Sequence, residues 1–108
     1  MITTHVLDTS RGLPAAGMHV VLEVRHGAEW TGIVRRTTDS HGRVSSFSDA
    51  PIVAGTYRLV FDTGGYHRGI DVTPFFPEVV VTFEVEADAH YHVPLLLSPY
   101  GYSTYRGT

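Results

Sequence analysis

The chain has 108 residues, which fits a single domain covering residues 1–108. Its formal net charge of -3 gives no reason to expect a nucleic acid or an anionic membrane surface as partner. The absence of cysteine excludes a disulfide framework, a thiolate nucleophile and a zinc–cysteine site. No basic start followed by an apolar run of signal-peptide length is present, so we expect a cytoplasmic protein.

The first predicted element is a strand near Met1 that buries one face. Alternation places Ile2, Thr4 and Val6 on one side and Thr3, His5 and Leu7 on the other. Because Ile2 and Val6 suit a core, the second side should face outward. His5 then lies beside Leu7 on an outer sheet face.

The middle of the chain is also predicted to be β-structure. Period-two alternation gives strands at 18–24, 56–62 and 79–87, separated by turns rich in glycine, proline and aspartate. The one helical candidate is about two turns within Gly64–Val72. Many short strands at this spacing predict an all-β sandwich. We interpret Trp30 as packing, and His19, His26, His41 and His67 as solvated side chains.

The last predicted strand has an unusual outer face. Tyr91, Val93, Leu95 and Leu97 alternate toward the core, which leaves His90, His92, Pro94 and Leu96 outside. Apolar residues on an outer face indicate a surface that another subunit covers. If this strand neighbours the first one, His5 and His92 lie about 5–6 Å apart at the backbone. From alternation alone, it is equally possible that His5 and His92 are two unrelated surface histidines.

These segments resemble those of a known family. The stretch HYHVPLLLSPYGYSTYRGT, residues 90–108, closely resembles the terminal signature of the 5-hydroxyisourate hydrolases, transthyretin-like enzymes of urate breakdown. Residues 4–23 are similar to the family's opening segment, and TDSHGRV, GTYRLVFDTGGY and FFPEVVVTF to its middle. The resemblance covers essentially the whole chain.

The resemblance implies a fold, an assembly and a set of site residues. The fold is a transthyretin-like sandwich of two four-stranded sheets with one short helix, and the assembly is a homotetramer, a dimer of dimers around a channel. His5, Arg43 and His92 correspond to catalytic residues, and His5, Arg43, Tyr105 and Thr108 to substrate-binding ones. Thr108 stands where the family usually has serine.

The implied reaction opens a ring amide of 5-hydroxyisourate with water and needs no cofactor or metal. A neutral histidine can take a proton from water near pH 7, and Arg43 offers a planar set of donors to substrate carbonyls. Tyr105 offers a hydroxyl and a flat apolar face. We interpret His90 as a neighbour of the site rather than a catalyst.

Two other functions stay open. His5, His90 and His92 could hold a catalytic zinc with a free position for water. A non-catalytic carrier resembling transthyretin would use the same fold with an apolar ligand in the channel. The joint presence of His5, Arg43, His92 and the Tyr-Arg-Gly segment favours the enzyme.

Overall fold

Two β-sheets pack face to face in the structure, a computed structural model that describes residues 1–108. The elements in chain order are β1 (Ile2–Asp8), β2 (Leu13–Pro14), β3 (His19–His26), β4 (Glu29–Thr37), β5 (Arg43–Val44), β6 (Gly55–Phe61), α1 (Thr63–Gly69), β7 (Val79–Val85), β8 (Tyr91–His92), β9 (Leu95–Ser98) and β10 (Gly101–Thr104). The predicted sandwich with one short helix is confirmed.

One sheet is regular, with strand order β4-β3-β6-β7 and antiparallel pairing throughout. Its inner face carries the predicted alternating residues of β3 and β6: Val20, Leu59 and Phe61 are fully buried. Strand β4 was not predicted. It lies at the edge, and only Trp30 and Val34 along it are partly buried, so it shows no alternation of apolar and polar residues.

The other sheet is built around β1 from six segments. One edge of β1 pairs antiparallel with β5 and then β2, and the other pairs parallel with β8 and then β9. Strand β10 pairs antiparallel with β9. The six segments therefore occupy the four strand positions that were predicted, two of which are split. Val93 and Pro94 separate β8 from β9, and proline has no N–H to donate to a ladder.

The core lies between the sheets and contains 19 buried hydrophobic residues. Ile2 and Val6 of β1 and Leu95 and Leu97 of β9 face inward, as the alternation predicted. Pro94 is buried within a single chain, so its predicted place on an exposed face is wrong. The interruption of the strand at Val93–Pro94 breaks the alternation there.

Helix α1 follows β6 directly. The side chain of Asp62 caps it by accepting a hydrogen bond from Gly65 N at 2.9 Å. His67 is 1% exposed and packs beside Tyr66, with neither ring nitrogen hydrogen-bonded. The expectation that His67 is solvated is therefore wrong, because it lies on the face of the helix that packs onto the sandwich.

The structure has no helix with both the length and the apolar character that crossing a membrane requires.

Candidate active site

The outer face of β1 provides the base of the site. Ile2, Thr4 and Val6 are buried, whereas His5 and Leu7 are half-exposed, as the alternation predicted. Thr3 shares the outer side but is only 8% exposed, because side chains of the neighbouring segment cover it.

The register between β1 and β8 decides which residues meet. The two strands are neighbours, as was considered from the sequence, and their pairing sets Thr3 opposite His92 and Ile2 opposite Tyr91. His5 is thus not the direct partner of His92. It lies two residues further along β1, about 6–7 Å in the strand direction.

A tight loop places Arg43 opposite His5. The Asp39 carboxylate accepts hydrogen bonds from the backbone N–H groups of His41 and Arg43, both at 2.9 Å. Gly42 has φ +74°, and a Cβ there would overlap the backbone oxygen of Val6. The loop then enters β5, which pairs Arg43 with His5 across the sheet.

These elements enclose a cavity of about 200 Å³. Its lining residues are Thr3, Thr4, Arg43, Val44, Ser45, His90, His92 and Thr108. The guanidinium of Arg43 has no ion-pair partner, since the single ion pair of the structure joins Arg58 and Glu23. A free cation and imidazoles in one small polar cavity can bind a planar molecule rich in carbonyl groups.

His5 is held in one tautomer. Its Nε2 donates to the backbone oxygen of His41 at 2.8 Å, and because a carbonyl only accepts, the proton lies on Nε2. The other nitrogen, Nδ1, is then bare in the neutral ring. Burial and next the positive charge of Arg43 lower the pKa of His5, so the ring is neutral at pH 7.

His92 also favours the neutral form. Burial lowers its pKa, and the charges of Arg43, His90 and His5 lower it further. Its Nδ1 lies 2.7 Å from the hydroxyl of Thr3, which is also 2.9 Å from His90 Nε2. Near neutral pH, one imidazole able to accept a proton therefore lines this cavity, and a second, that of His5, lies opposite Arg43 in the sheet.

The last residues fold back onto His92. Gly107 N donates to His92 O at 2.8 Å, and a Cβ on Gly107 would lie 2.5 Å from the ring carbon Cδ2 of His92. A side chain at position 107 would therefore displace the ring. This contact also brings Thr108 to the cavity.

Tyr105 occupies a different place. Within one chain it lines a neighbouring hollow of about 240 Å³, together with Tyr91, Val93 and Arg106. Arg106 stacks its guanidinium on the Tyr91 ring at 4.8 Å. The structure thus brings His5, Arg43, His92 and Thr108 together and leaves Tyr105 beside them.

Sequence reasoning missed three contributors. Thr3 was interpreted only as an outer-face residue, Ser45 was not considered, and the close approach of Gly107 was not anticipated. A signal existed for Thr3, since it shares the outer face with His5. His90, set aside as a neighbour, lines the cavity and is tied to His92 through Thr3.

The side chains do not form a metal site. No group of three or more histidine, aspartate or glutamate side chains is arranged to hold an ion. His90 and His92 lie side by side with ring centroids 6.2 Å apart. His5 turns its Nε2 to a carbonyl instead of joining them.

Known proteins share both sequence and fold with this chain. A family model described as the HIUase/Transthyretin family matches residues 2–107. A probable 5-hydroxyisourate hydrolase of Caenorhabditis elegans is 46% identical over 109 residues, which covers 99% of this chain and 81% of that protein. The structure of Klebsiella pneumoniae 5-hydroxyisourate hydrolase matches with a TM-score of 0.88 and 36% identity, covering 99% and 98% of the two chains.

A relative of another kind matches equally well in shape. Sea bream transthyretin in complex with thyroxine gives a TM-score of 0.92 at 30% identity, covering 99% of this chain and 94% of that one. The fold therefore serves both an enzyme and a protein solved with a bound hormone, and the side chains of the site must distinguish the two functions.

Proposed function

The chain belongs to the HIUase/Transthyretin family, and from that premise we propose that it hydrolyses the ring amide of 5-hydroxyisourate. The product is 2-oxo-4-hydroxy-4-carboxy-5-ureidoimidazoline, and the reaction is a step of urate catabolism. The observation that carries the proposal is the cavity itself. It combines the unpaired guanidinium of Arg43 with His92, and His5 lies opposite Arg43 in the sheet. Both imidazoles are kept neutral at pH 7.

The reaction needs a base, a proton donor and stabilisation of charge. A neutral imidazole, either His5 through its bare Nδ1 or His92, takes a proton from water while the water oxygen bonds to the amide carbon. The C–N bond then breaks, and the imidazolium returns the proton to the departing nitrogen. General acid–base help of this kind contributes about 10²–10⁴-fold.

Arg43 supplies the electrostatic part of the mechanism. Its guanidinium donates hydrogen bonds to substrate carbonyls and to the oxygen on which negative charge develops. The same charge lowers the pKa of both histidines. We expect Thr108 to bind the substrate from the rim of the cavity and Tyr105 to bind it from the neighbouring hollow.

The main alternative is a non-catalytic carrier, as the thyroxine complex of the sea bream relative suggests. Val44 is the one apolar residue among the eight that line this cavity. An apolar ligand would displace water from the guanidinium of Arg43 and the histidine nitrogens without replacing those hydrogen bonds, which is costly. The polarity of the cavity therefore supports the enzyme.

A zinc hydrolase using His5, His90 and His92 is the second alternative. The hydrogen bond from His5 to the His41 carbonyl and the nearby cation of Arg43 both disfavour a divalent metal. We expect activity to survive dialysis against a strong chelator. Loss of activity that zinc alone restores would favour the metal mechanism.

We also propose a homotetramer, a dimer of dimers, that covers the outer face of the β1 sheet. Leu7 and Leu96 are half-exposed there and directly paired in the register of β1 and β9. Light scattering at micromolar concentration tests this assembly, and a stable monomer would contradict it. The cytoplasmic location stays a prediction, which fractionation of the producing cells tests.

An absorbance assay tests the proposed reaction. Purified protein should accelerate the loss of ultraviolet absorbance of freshly generated 5-hydroxyisourate above its spontaneous decay. Thyroxine binding, measured by calorimetry on the same sample, serves as the test of the carrier. Hormone binding without acceleration would assign the chain to the carrier function.

A further inference from the structure

Thr3 joins two histidines through a single oxygen. Its Oγ1 lies 2.7 Å from His92 Nδ1 and 2.9 Å from His90 Nε2. Thr3 is 8% exposed, and His90 is exposed to solvent. The three side chains form a path from the cavity to the surface of the chain.

The single hydrogen of the Thr3 hydroxyl couples the tautomers of the two histidine rings. Thr3 has one hydrogen, so it donates to one imidazole and accepts from the N–H of the other. Two arrangements satisfy this condition when both rings are neutral. In one, Thr3 donates to His92 and His92 carries its proton on Nε2. In the other, His92 donates from Nδ1, Thr3 donates to His90, and His92 Nε2 is bare.

We propose that Thr3 is a positioning residue that holds His92 in the second arrangement and passes protons between His92 and His90. The inference rests on the proposed hydrolysis, for which it makes His92 Nε2 the basic atom. Only this arrangement leaves a bare His92 nitrogen for water, because in the first one Thr3 occupies the bare Nδ1. His92 Nε2 makes no hydrogen bond within the chain, whereas Nδ1 contacts Thr3.

The proton movements balance along this path. His92 Nε2 accepts a proton from water, and the ring becomes an imidazolium. The Nδ1 proton then moves to Thr3 Oγ1 as the hydroxyl proton of Thr3 moves to His90 Nε2. His92 is again neutral, with its proton on Nε2, and His90 carries the charge. When the C–N bond breaks, reversal of the two hydroxyl transfers returns the charge to His92, whose Nε2 gives its proton to the departing nitrogen, and the starting state is restored.

The charges around His92 favour transfer toward the surface. Arg43 of β5, His5 of β1 and His90 all disfavour a positive charge on His92, and burial adds to their effect on its pKa. His90 is the exposed member of the pair, so a charge there is better solvated.

Nitrogen-15 NMR of the histidine rings tests the arrangement without any substrate, since bare and protonated ring nitrogens differ widely in chemical shift. Wild-type protein above pH 7 should show His92 protonated on Nδ1 and bare on Nε2. Thr3→Val keeps the size of the side chain and removes the hydroxyl, so it should abolish this preference. Thr3→Ser should restore it.

Kinetics test the relay. Thr3→Val should lower kcat about tenfold or more, a part of the 10²–10⁴-fold from general-base help, with little change in KM. His90→Gln can still hydrogen-bond to Thr3 but cannot carry the proton. It should lower kcat and, by removing a charge near His92, move the low-pH limb of the rate profile to higher pH.

Thr63→Val is the matched control, because Thr63 is a fully buried threonine whose hydroxyl donates to Phe76 O, on the helix and outside the site. It should lower the unfolding temperature and leave the His92 spectrum and the pH profile unchanged.

A wild-type His92 protonated on Nε2 would overturn the proposal. So would a His90→Gln protein with wild-type kcat and pH profile, and that variant decides if Thr3→Val fails to fold. If wild-type protein does not hydrolyse 5-hydroxyisourate, the proposed function fails, while the spectra still decide whether Thr3 fixes the ring.

Discussion

The two sheets of this sandwich contribute different things. The β4-β3-β6-β7 sheet pairs long antiparallel strands, and on part of its outer face Arg58 bonds to Glu23 at 2.5 Å and stacks on Trp30 at 4.2 Å. The β1 sheet is made of short segments that meet one central strand. All residues that line the polar cavity come from the β1 sheet and the segments that flank its strands.

The difference shows where this fold leaves room for chemistry. A continuous ladder uses its backbone groups and packs its outer side chains against one another. The interrupted sheet instead lets a loop, a strand end and a returning segment converge on β1 at Thr3 and His5. Substitutions in the two sheets should therefore separate activity from stability.

The largest effect is expected at the two histidines proposed as the base. His5→Asn and His92→Asn keep a polar side chain but remove the base, and each should lower turnover by about 10²-fold or more. The double variant should lose little beyond the worse single one, because groups that act as a unit are not additive. An assembled His92→Asn protein with near-normal turnover in the absorbance assay would remove His92 from the mechanism.

Gly107→Ala should have the next largest effect, although residue 107 lies outside the cavity. The new methyl group would meet the His92 ring, which must move. A displacement of about 1 Å in a catalytic group can cost up to about 10²-fold in rate. Gly69→Ala is the control, since a Cβ there meets nothing within 4 Å. Equal turnover in the two variants would contradict the role of the Gly107 contact.

The pH dependence sharpens the comparison further. The pKa values of His5 and His92 are both lowered from 6.5, mainly by burial and then by Arg43. Turnover should rise with pH along a limb whose midpoint lies below pH 6.5, and it should fall about tenfold per unit below the pKa of the base. Arg43→Gln removes the nearby cation, so the low-pH limb of the rate profile should move to higher pH, in addition to any loss of rate. A limb that stays in place would show that Arg43 does not act on the base.

The lowered pKa values of His5 and His92 also make the stability of the fold depend on pH. A histidine whose pKa is lowered by folding binds fewer protons in the native state, so the free energy of unfolding increases with pH through this range. The protein should lose stability as pH falls from 6.5 toward the folded-state pKa. Urea unfolding at several pH values measures this loss of stability independently of turnover. His5→Asn should reduce the loss of stability, because it removes one of the two titrating groups.

The smallest effect is expected in the regular sheet. Glu23→Gln breaks the ion pair with Arg58, whose side chain is 28% exposed, against 21% for that of Glu23. Partial solvent exposure limits the loss to about 1 kcal/mol or less. Thermal unfolding should detect a small decrease, and turnover should stay at the wild-type value. A large loss of activity would mean that the two sheets are coupled.

Sequence alone was most informative where one strand buries one clean face. The alternation in β3, β6 and β9 identified Val20, Leu59 and Leu95 as core, and all three are fully buried. It missed β4, whose edge position buries little. The prediction for His67 was wrong, because a helix of seven residues is too short for its periodicity to show which side chains face inward.

The site was predictable in part. The resemblance identified Arg43 and His92, whose side chains line one cavity, and His5, which pairs with Arg43. It could not identify Thr3 as the partner of His92, since register between segments 89 positions apart depends on the folded sheet. The contact of Gly107 with the His92 ring likewise exists only after the chain returns to β8.

The parallel pairing of β1 with β8 and β9 has a consequence for biosynthesis. Strand β1 is made early, and its parallel partners β8 and β9 follow more than eighty residues later. The β3–β4 hairpin is local, and the regular sheet is complete in sequence at Val85, whereas the parallel edge of β1 must wait for the last segments. Until then its apolar side and open edge are accessible to chaperones or to other nascent chains. The cavity appears only when the last segment has joined β1, so a chain that ends after β7 should collapse but remain inactive.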